Sequence, residues 1–258
     1  MISVLCVNYR SSADVFGLAA SLAEHRGGEA IELIVVNHSP RERVALPDSA
    51  IGFSRVIEQS NVGYAAGINR AASLARGEWL FLANPDVRIT RETLRVARRA
   101  LEENADIGVL LPLLRHPDGS VQASVRRFYT WPVALYARLP LRRIWRPAFF
   151  RRYLCEDLDR SGPADVDWGL GGAMFVRRDD HPGGRVLDER FFLYFEDVDL
   201  CWRTWQRGRR VVYWPQAECV HAHRRRSAAV FNRHGWHHFR SFLRFVSKHG
   251  GLPGRPAR

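Results

Sequence analysis

The chain has 258 residues, 46% of them hydrophobic, and its 39 Lys and Arg against 27 Asp and Glu leave a net charge of +12. That length and apolar content suit one large α/β domain or two small ones, and they exclude a disordered chain. The longest apolar runs, such as Val109–Leu114 with Pro112 inside it, fall short of the roughly 18 residues a membrane-spanning helix needs.

In chain order, Ser3–Asn8 reads as a buried strand, Ala13–His25 as a helix and Ile31–Asn37 as a second buried strand. Met1–Val7 carries no basic n-region, so the expectation is a cytoplasmic chain without a signal peptide. Phe53–Glu58 is a third strand, Tyr64–Ala75 a helix and Trp79–Ala83 a fourth strand. Thr90–Asn104 is a helix that Arg91, Arg95, Arg98 and Arg99 make basic on one side, and Ile107–Leu114 is a fifth strand. Alternation at this pitch predicts right-handed βαβ units and a parallel sheet. Three strand ends then converge on one edge, at Asn8-Tyr9-Arg10, Asn37-His38-Ser39 and Asn84-Pro85-Asp86.

Between the third and fourth strands, Asn61-Val-Gly63-Tyr-Ala-Ala-Gly67-Ile-Asn69 leads into a helix. Glycines at that spacing either let backbone N–H groups approach a phosphate or sugar or serve only to pack helix on sheet. Pro85 cannot extend its strand and pushes Asn84 out of helical geometry, which sets Asp86 on a loop at the carboxyl edge, where ligands of open α/β sheets bind. A carboxylate there suits a hard divalent cation bridging phosphate oxygens; an ordinary Asx turn fits the tripeptide equally well.

The second half is less regular. Gly169-Leu-Gly-Gly172-Ala173-Met174 enters an apolar strand to Val176, Arg210–Trp214 is a strand stopped by Pro215, and Cys219–His223 carries His221 and His223. A strand-end imidazole is either hydrogen-bonded within the fold or completes a metal site with carboxylates. The four cysteines, Cys6, Cys155, Cys201 and Cys219, lack C-x-x-C spacing and read as reduced thiols.

Residues 188–199, Asp-Glu-Arg-Phe-Phe-Leu-Tyr-Phe-Glu-Asp-Val-Asp, are the most informative stretch. Bulky side chains deliver Glu196 and Asp197 to the start of a helical pattern (Leu200, Cys201, Trp202, Trp205), where the macrodipole favours carboxylates. The alternative is a capping cluster with Asp199 and Arg203 as an i,i+4 pair.

The basic excess is nearly all arginine, with Lys248 the sole lysine, and predicts attraction to polyanions: nucleic acid, anionic lipid or phosphorylated substrates. From Arg126 to Arg152, eight arginines interleave with Trp131, Leu135, Tyr136, Leu139, Leu141, Ile144, Trp145, Phe149 and Phe150. This is the composition of an interfacial segment on an anionic leaflet, and equally of a lid over an active site. Phe231–Lys248 reads as a packing helix, with Arg224–Arg226 before it.

Five ordered motifs carry a family resemblance: Val7-Asn8-Tyr9, Asn61-x-Gly63-Tyr-Ala-Ala-Gly67-x-Asn69, Asn84-Pro85-Asp86-Val87, Gly172-Ala173-Met174, and Phe191 through Arg203. In this order the sequence resembles glycosyltransferase family 2, inverting enzymes of the GT-A fold, and most of all its bacterial rhamnosyltransferase-like branch. The resemblance implies an α/β, Rossmann-like, mostly parallel central sheet flanked by helices, with an acceptor-side subregion toward the C-terminus. It implies a transferase domain over 1–223, split into a nucleotide-sugar half (1–114) and an acceptor and base half (115–223), with a basic helical extension over 224–258.

Carried over by position, Asp197 matches the catalytic base with Glu196 beside it, and Asp86 the metal-binding carboxylate of a D-x-D-like signature whose first position is Asn84. His221 matches a histidine that in some members reaches Mg2+ or Mn2+. Asn8, Tyr9, Asn37, Asn61, Gly63, Gly67 and Asn69 fall on the nucleotide-sugar side, and Gly172 and Ala173 on the acceptor side. One departure stands out: many members place Asp where this chain has Asn37, and that Asp accepts the N3–H of uracil or thymine. The resemblance further implies a dTDP- or UDP-sugar donor and a lipid-linked or polysaccharide acceptor of cell-surface glycan synthesis, at the inner face of the cytoplasmic membrane.

Two other readings compete. A sugar-nucleotide pyrophosphorylase would want a glycine-rich basic loop after the first strand, and Val7–Ser12 holds no glycine. A non-catalytic nucleic-acid-binding protein fits the charge, but no helix-turn-helix, zinc-finger or RNA-recognition signature is present, so nucleic acid is not expected as a partner.

Overall fold

The computed structural model describes residues 1–222, 233–252 and 254; His223, Arg224–Arg226 and Phe231, singled out above, and the 223/224 boundary lie outside them. The elements are β1 Ile2–Asn8, α1 Ser12–His25, β2 Ile31–Asn37, α2 Asp48–Ile51, β3 Ser54–Glu58, α3 Tyr64–Ser73, β4 Trp79–Ala83, β5 Val87–Ile89, α4 Thr93–Glu103 and β6 Ile107–Arg115. There follow β7 Val125–Arg126, α5 Trp131–Tyr136, α6 Ala148–Tyr153, β8 Ala164–Asp165, β9 Trp168–Gly169, β10 Ala173–Arg177, α7 Glu196–Gln206, β11 Arg210–His221 and α8 Arg233–His249.

One sheet in the order β3-β2-β1-β4-β10-β6-β11-β5 runs through the molecule, with β8 on β11. β3, β2, β1 and β4 are mutually parallel, while β10 lies antiparallel between β4 and β6. Strands from residues 1–114 and from residues 115–222 thus share one sheet. β1 and β2 are buried along their whole length, as expected of parallel strands covered on both faces. Leu18, Leu22, Leu94 and Leu101 of α1 and α4 fill one face; Ile68, Leu200 and Trp205 of α3 and α7, with Phe245 of α8, fill the other.

Two sequence expectations need correction. β11 is not stopped by Pro215 but continues to His221, pairing with β6 in parallel and shifting register between Trp214 and Glu218. An irregularity there absorbs a residue that has no N–H to give the ladder, and its outcome is that His221 reaches the sheet's functional edge. The arginines of α4 also do not form a free basic side: Arg95 pairs with Glu92, Arg98 with Glu29 and Glu102, and Arg99 with Glu103.

α8 is clamped to α7 through Asp199. That fully buried carboxylate accepts from Arg203 Nε at 2.8 Å, Lys248 Nζ at 2.6 Å and His249 Nε2 at 2.9 Å. Removing one partner of such a buried cluster typically costs about 3–5 kcal/mol, so Asp199→Ala should lower unfolding free energy by about 3 kcal/mol in urea titration. A loss within the roughly 0.5 kcal/mol of an ordinary surface change would refute the clamp.

Candidate active site

The site sits at the edge where β1, β2, β4 and β11 end. Backbone contacts fix the Asn84–Asp86 loop: Asn84 N–H donates to Gly172 O at 2.8 Å, and Ala222 N–H to Asp86 O at 3.1 Å. From β5, Arg88 Nη1 donates to Pro85 O and Val87 O at 2.9 and 2.8 Å. Asp86 Oδ1 then stands 3.3 Å from His221 Nε2. Gln122 Oε1 lies 3.0 Å from His221 Nδ1. With the proton on Nδ1, this partner fixes the ring and leaves the Nε2 lone pair facing Asp86, the arrangement of a metal-ligating histidine. No sequence motif marks Gln122; only its distance to His221 reveals it.

Aromatic packing holds the second carboxylate. Tyr194 and Phe195, with φ of 69° and 68°, occupy the left-handed region just before α7. That conformation is costly for bulky residues and persists where surroundings overdetermine it, commonly at functional sites. Here Phe195 is enclosed by Tyr129, His238, Phe242 and Phe245, with ring centroids 5.2–5.7 Å away. The turn delivers Asp197 to the first turn of α7, where its Oδ2 accepts from Gly171 N–H and its Oδ1 from Val198 N–H, both at 2.9 Å.

Gly171 and Gly172 therefore join the two halves of the site. Gly171 holds Asp197; a Cβ on Gly172 would come within 2.9 Å of the His221 ring. Adjacent Cα atoms are about 3.8 Å apart, so the Asp86–His221 pair and Asp197 flank a single dipeptide. Gly172, expected on the acceptor side, lies beneath His221, and Ala173 is buried in β10 opposite Ala83.

Burial raises the affinity of both Glu196 and Asp197 for protons. The charge on Asp197 adds to the effect on Glu196, holding its carboxyl well above the usual range, whereas the Gly171 and Val198 amides pull Asp197 back. Asp197 ionises first and Glu196 stays neutral beside it. Glu196 Oε2 is buried without a hydrogen-bond partner among the described residues, which suits a neutral acid better than a carboxylate.

The glycine segment is placed differently from a phosphate loop. Gly63, at φ 106°, packs on Phe192, whose carbonyl takes the Tyr64 N–H at 2.8 Å. Gly67 lies under the His38 ring, and Asn69 spends its side chain on Leu187 and Glu189. Asn61 caps its own turn by accepting from Gly63 N–H. Gly63 and Asn69 thus seat the 187–195 segment. Asn8 and Asn37 are buried and bonded to each other at 2.8 Å, and Tyr9 is exposed at the end of β1.

Among the described residues, no group of three or more His, Cys, Asp or Glu forms a complete metal cage. Asp86 and His221 would nevertheless suit a divalent cation, since an oxygen and an imidazole donor suit Mn2+ and one carboxylate is what Mg2+ commonly uses beside phosphates.

A family model, Glycosyl transferase family 2, matches residues 3–168. An N-acetylglucosaminyl-diphospho-decaprenol L-rhamnosyltransferase of Mycobacterium tuberculosis is 29% identical over 77% of this chain and 68% of its own length. Rhamnosyltransferase WbbL of Escherichia coli is 31% identical over 35% of the chain and 34% of its own. Among solved structures, GalNAc-T7 with UDP, GalNAc and Mn2+ superposes with a TM-score of 0.63 at 13% identity, over 96% of this chain and 47% of that one. The Pyrobaculum calidifontis mannosyltransferase with GDP-Man and Mn2+ gives 0.59 at 16% identity, over 98% and 65%. The expected GT-A fold is thus borne out. The chain spans about half the length of the first of these structures and about two thirds of the mycobacterial enzyme.

Proposed function

Because the chain belongs to glycosyl transferase family 2, we propose that it moves a rhamnosyl-type sugar from a dTDP- or UDP-sugar to a lipid-linked or polysaccharide acceptor, with inversion at the anomeric carbon. The observation that carries this reading is the Gly171–Gly172 junction, which has the metal-competent Asp86–His221 pair on one side and the separately held Asp197 carboxylate on the other. Asp197 takes the proton of the acceptor hydroxyl as that oxygen bonds to the anomeric carbon. The bond to the donor phosphate breaks, and its electron pair leaves with the nucleoside diphosphate. A Mg2+ or Mn2+ held by Asp86 and His221 would neutralise charge on that leaving group. The named enzymatic activity of the mycobacterial relative, on a diphospho-decaprenol acceptor, supports the lipid-linked choice. Donor hydrolysis across UDP-, dTDP- and GDP-sugars, with and without Mg2+ or Mn2+, tests it; no metal-stimulated turnover of any of them would refute the reading.

The same proposal includes an anionic membrane surface as partner. No helix among the described residues is long and apolar enough to cross a membrane. The segment around α5 and α6 instead has two sides: Tyr136, Phe150 and Tyr153 pack inward, while Leu135 is 68% and Ile144 89% exposed. α8 extends this apolar face with exposed Trp236 and Leu243, and Arg138 joins the two by lying 5.3 and 5.6 Å from the Phe239 and Phe242 rings. Arginine near an anionic surface contributes about 1 kcal/mol per charge and is screened by salt. The protein should sediment with anionic liposomes at low salt, release at high salt and ignore neutral vesicles. Ile144→Ser with Trp145→Ser should weaken sedimentation and spare activity on a short soluble acceptor. Unchanged liposome binding with lost soluble activity would make the segment a lid.

A further inference from the structure

Resting on the nucleoside-diphosphate-sugar reading, we propose that the Glu58 carboxylate, at the end of β3, reads the donor's base by accepting the N3–H of uracil or thymine, and that Asn37 only positions it. The ends of β1, β2 and β3 stand in register, with Asn8 opposite Asn37 and Asn37 opposite Glu58. A chain of hydrogen bonds runs across them. Asn8 Nδ2 donates to Asn37 Oδ1 at 2.8 Å, and Asn37 Nδ2 faces both Glu58 oxygens at 3.0 and 2.9 Å.

Asn37 has nothing left to offer a ligand. Its side chain is fully buried, its Oδ1 accepts from Asn8 and from Ser39 N–H at 3.0 Å, and its Nδ2 also reaches Ser39 O and Glu42 O. Two bonds use both lone pairs of an amide oxygen. Glu58 is the reverse: an exposed carboxylate with about four acceptor sites, engaged among the described residues by the Asn37 side-chain amide, which fixes its direction. The exposed Tyr9 ring, one residue beyond Asn8, offers a face on which a planar base can stack. The negative charge at this strand-end row is therefore on β3 rather than β2.

A carboxylate distinguishes bases by the proton at one ring nitrogen. Uracil and thymine present N3–H to it, whereas cytosine presents a lone pair that it repels. Glutamine at 58 keeps the shape and can still accept from Asn37, but it removes the charge and adds an N–H that can meet cytosine N3.

The test is calorimetric titration of the wild type, Glu58→Gln and Glu58→Ala with UDP, dTDP, CDP and GDP, all with Mn2+ present. The wild type should prefer UDP or dTDP over CDP by about ten- to a hundredfold, the range of one charge-assisted hydrogen bond. In Glu58→Gln that ratio should fall toward one, with CDP gaining in absolute affinity, and in Glu58→Ala it should fall without the gain. A UDP-to-CDP ratio unchanged in both folded variants, or equal weakening of all four ligands, overturns the assignment. A wild-type preference for GDP overturns the pyrimidine choice. A wild type that binds none of the four removes the donor reading itself, and this inference with it.

Discussion

In Asp197→Asn, turnover falls by about 10²–10⁴-fold, the usual contribution of a general base, while the fold and nucleoside-diphosphate affinity stay as in the wild type. The substitution keeps an oxygen for the Gly171 N–H, gives up the acceptor facing the Val198 N–H, and removes the group that can take a proton. The pH dependence follows from the environment. Burial raises the Asp197 pKa, so its basic form persists above that raised value and is lost as pH falls through it. The acid limb of kcat/KM should therefore lie above the ordinary aspartate value of about 4. Glu196→Gln should leave the limb in place, because Glu196 is already neutral when Asp197 titrates. A folded Asp197→Asn variant with near wild-type turnover would end the assignment, and a limb that moves in Glu196→Gln would show that Glu196 carries charge in the working enzyme.

The second large effect is on binding. Asp86→Ala should abolish the metal dependence of nucleoside-diphosphate binding, since it leaves His221 as the only described protein donor at that position and exposes the phosphates to the negative field of Asp197. Calorimetric titration of UDP with and without Mn2+ reads it directly. Wild-type affinity should rise with Mn2+ and the variant's should not; equal, metal-insensitive affinities in both proteins would mean that Asp86 shapes the loop and holds no cation.

The strand ends were legible in the sequence because buried parallel strands write themselves as continuous apolar runs, and Pro85 marks where β4 must stop. Asp86 and Asp197 could be picked out because loops after such strands and the first turn of a helix are where carboxylates find use. The placement of β10 between β4 and β6 was not legible, since strand order depends on pairings far apart in the chain. Pro215 reads as a strand end for a related reason: the irregularity that tolerates proline within β11 is set by the partner strand β6. Asn61, Gly63, Gly67 and Asn69 form a local pattern that fits either phosphate binding or packing; the packing of Gly63 on Phe192 and of Asn69 on Leu187 and Glu189 depends on a segment more than a hundred residues away and so leaves no local signal. Gln122 and Glu58 carry no motif and enter through one hydrogen-bonding neighbour each, His221 and Asn37.

The central claim is a single displacement with Asp197 as base on the face opposite the departing diphosphate. Its most direct measurement is the anomeric configuration of the first-formed product, followed by proton NMR during transfer from a dTDP- or UDP-sugar to a short, soluble diphospholipid-linked N-acetylglucosamine acceptor with Mn2+ present. The account predicts a product of configuration opposite to the donor's, formed by the wild type and not by Asp197→Asn over the same interval. A product that keeps the donor's configuration from the first time point would contradict it.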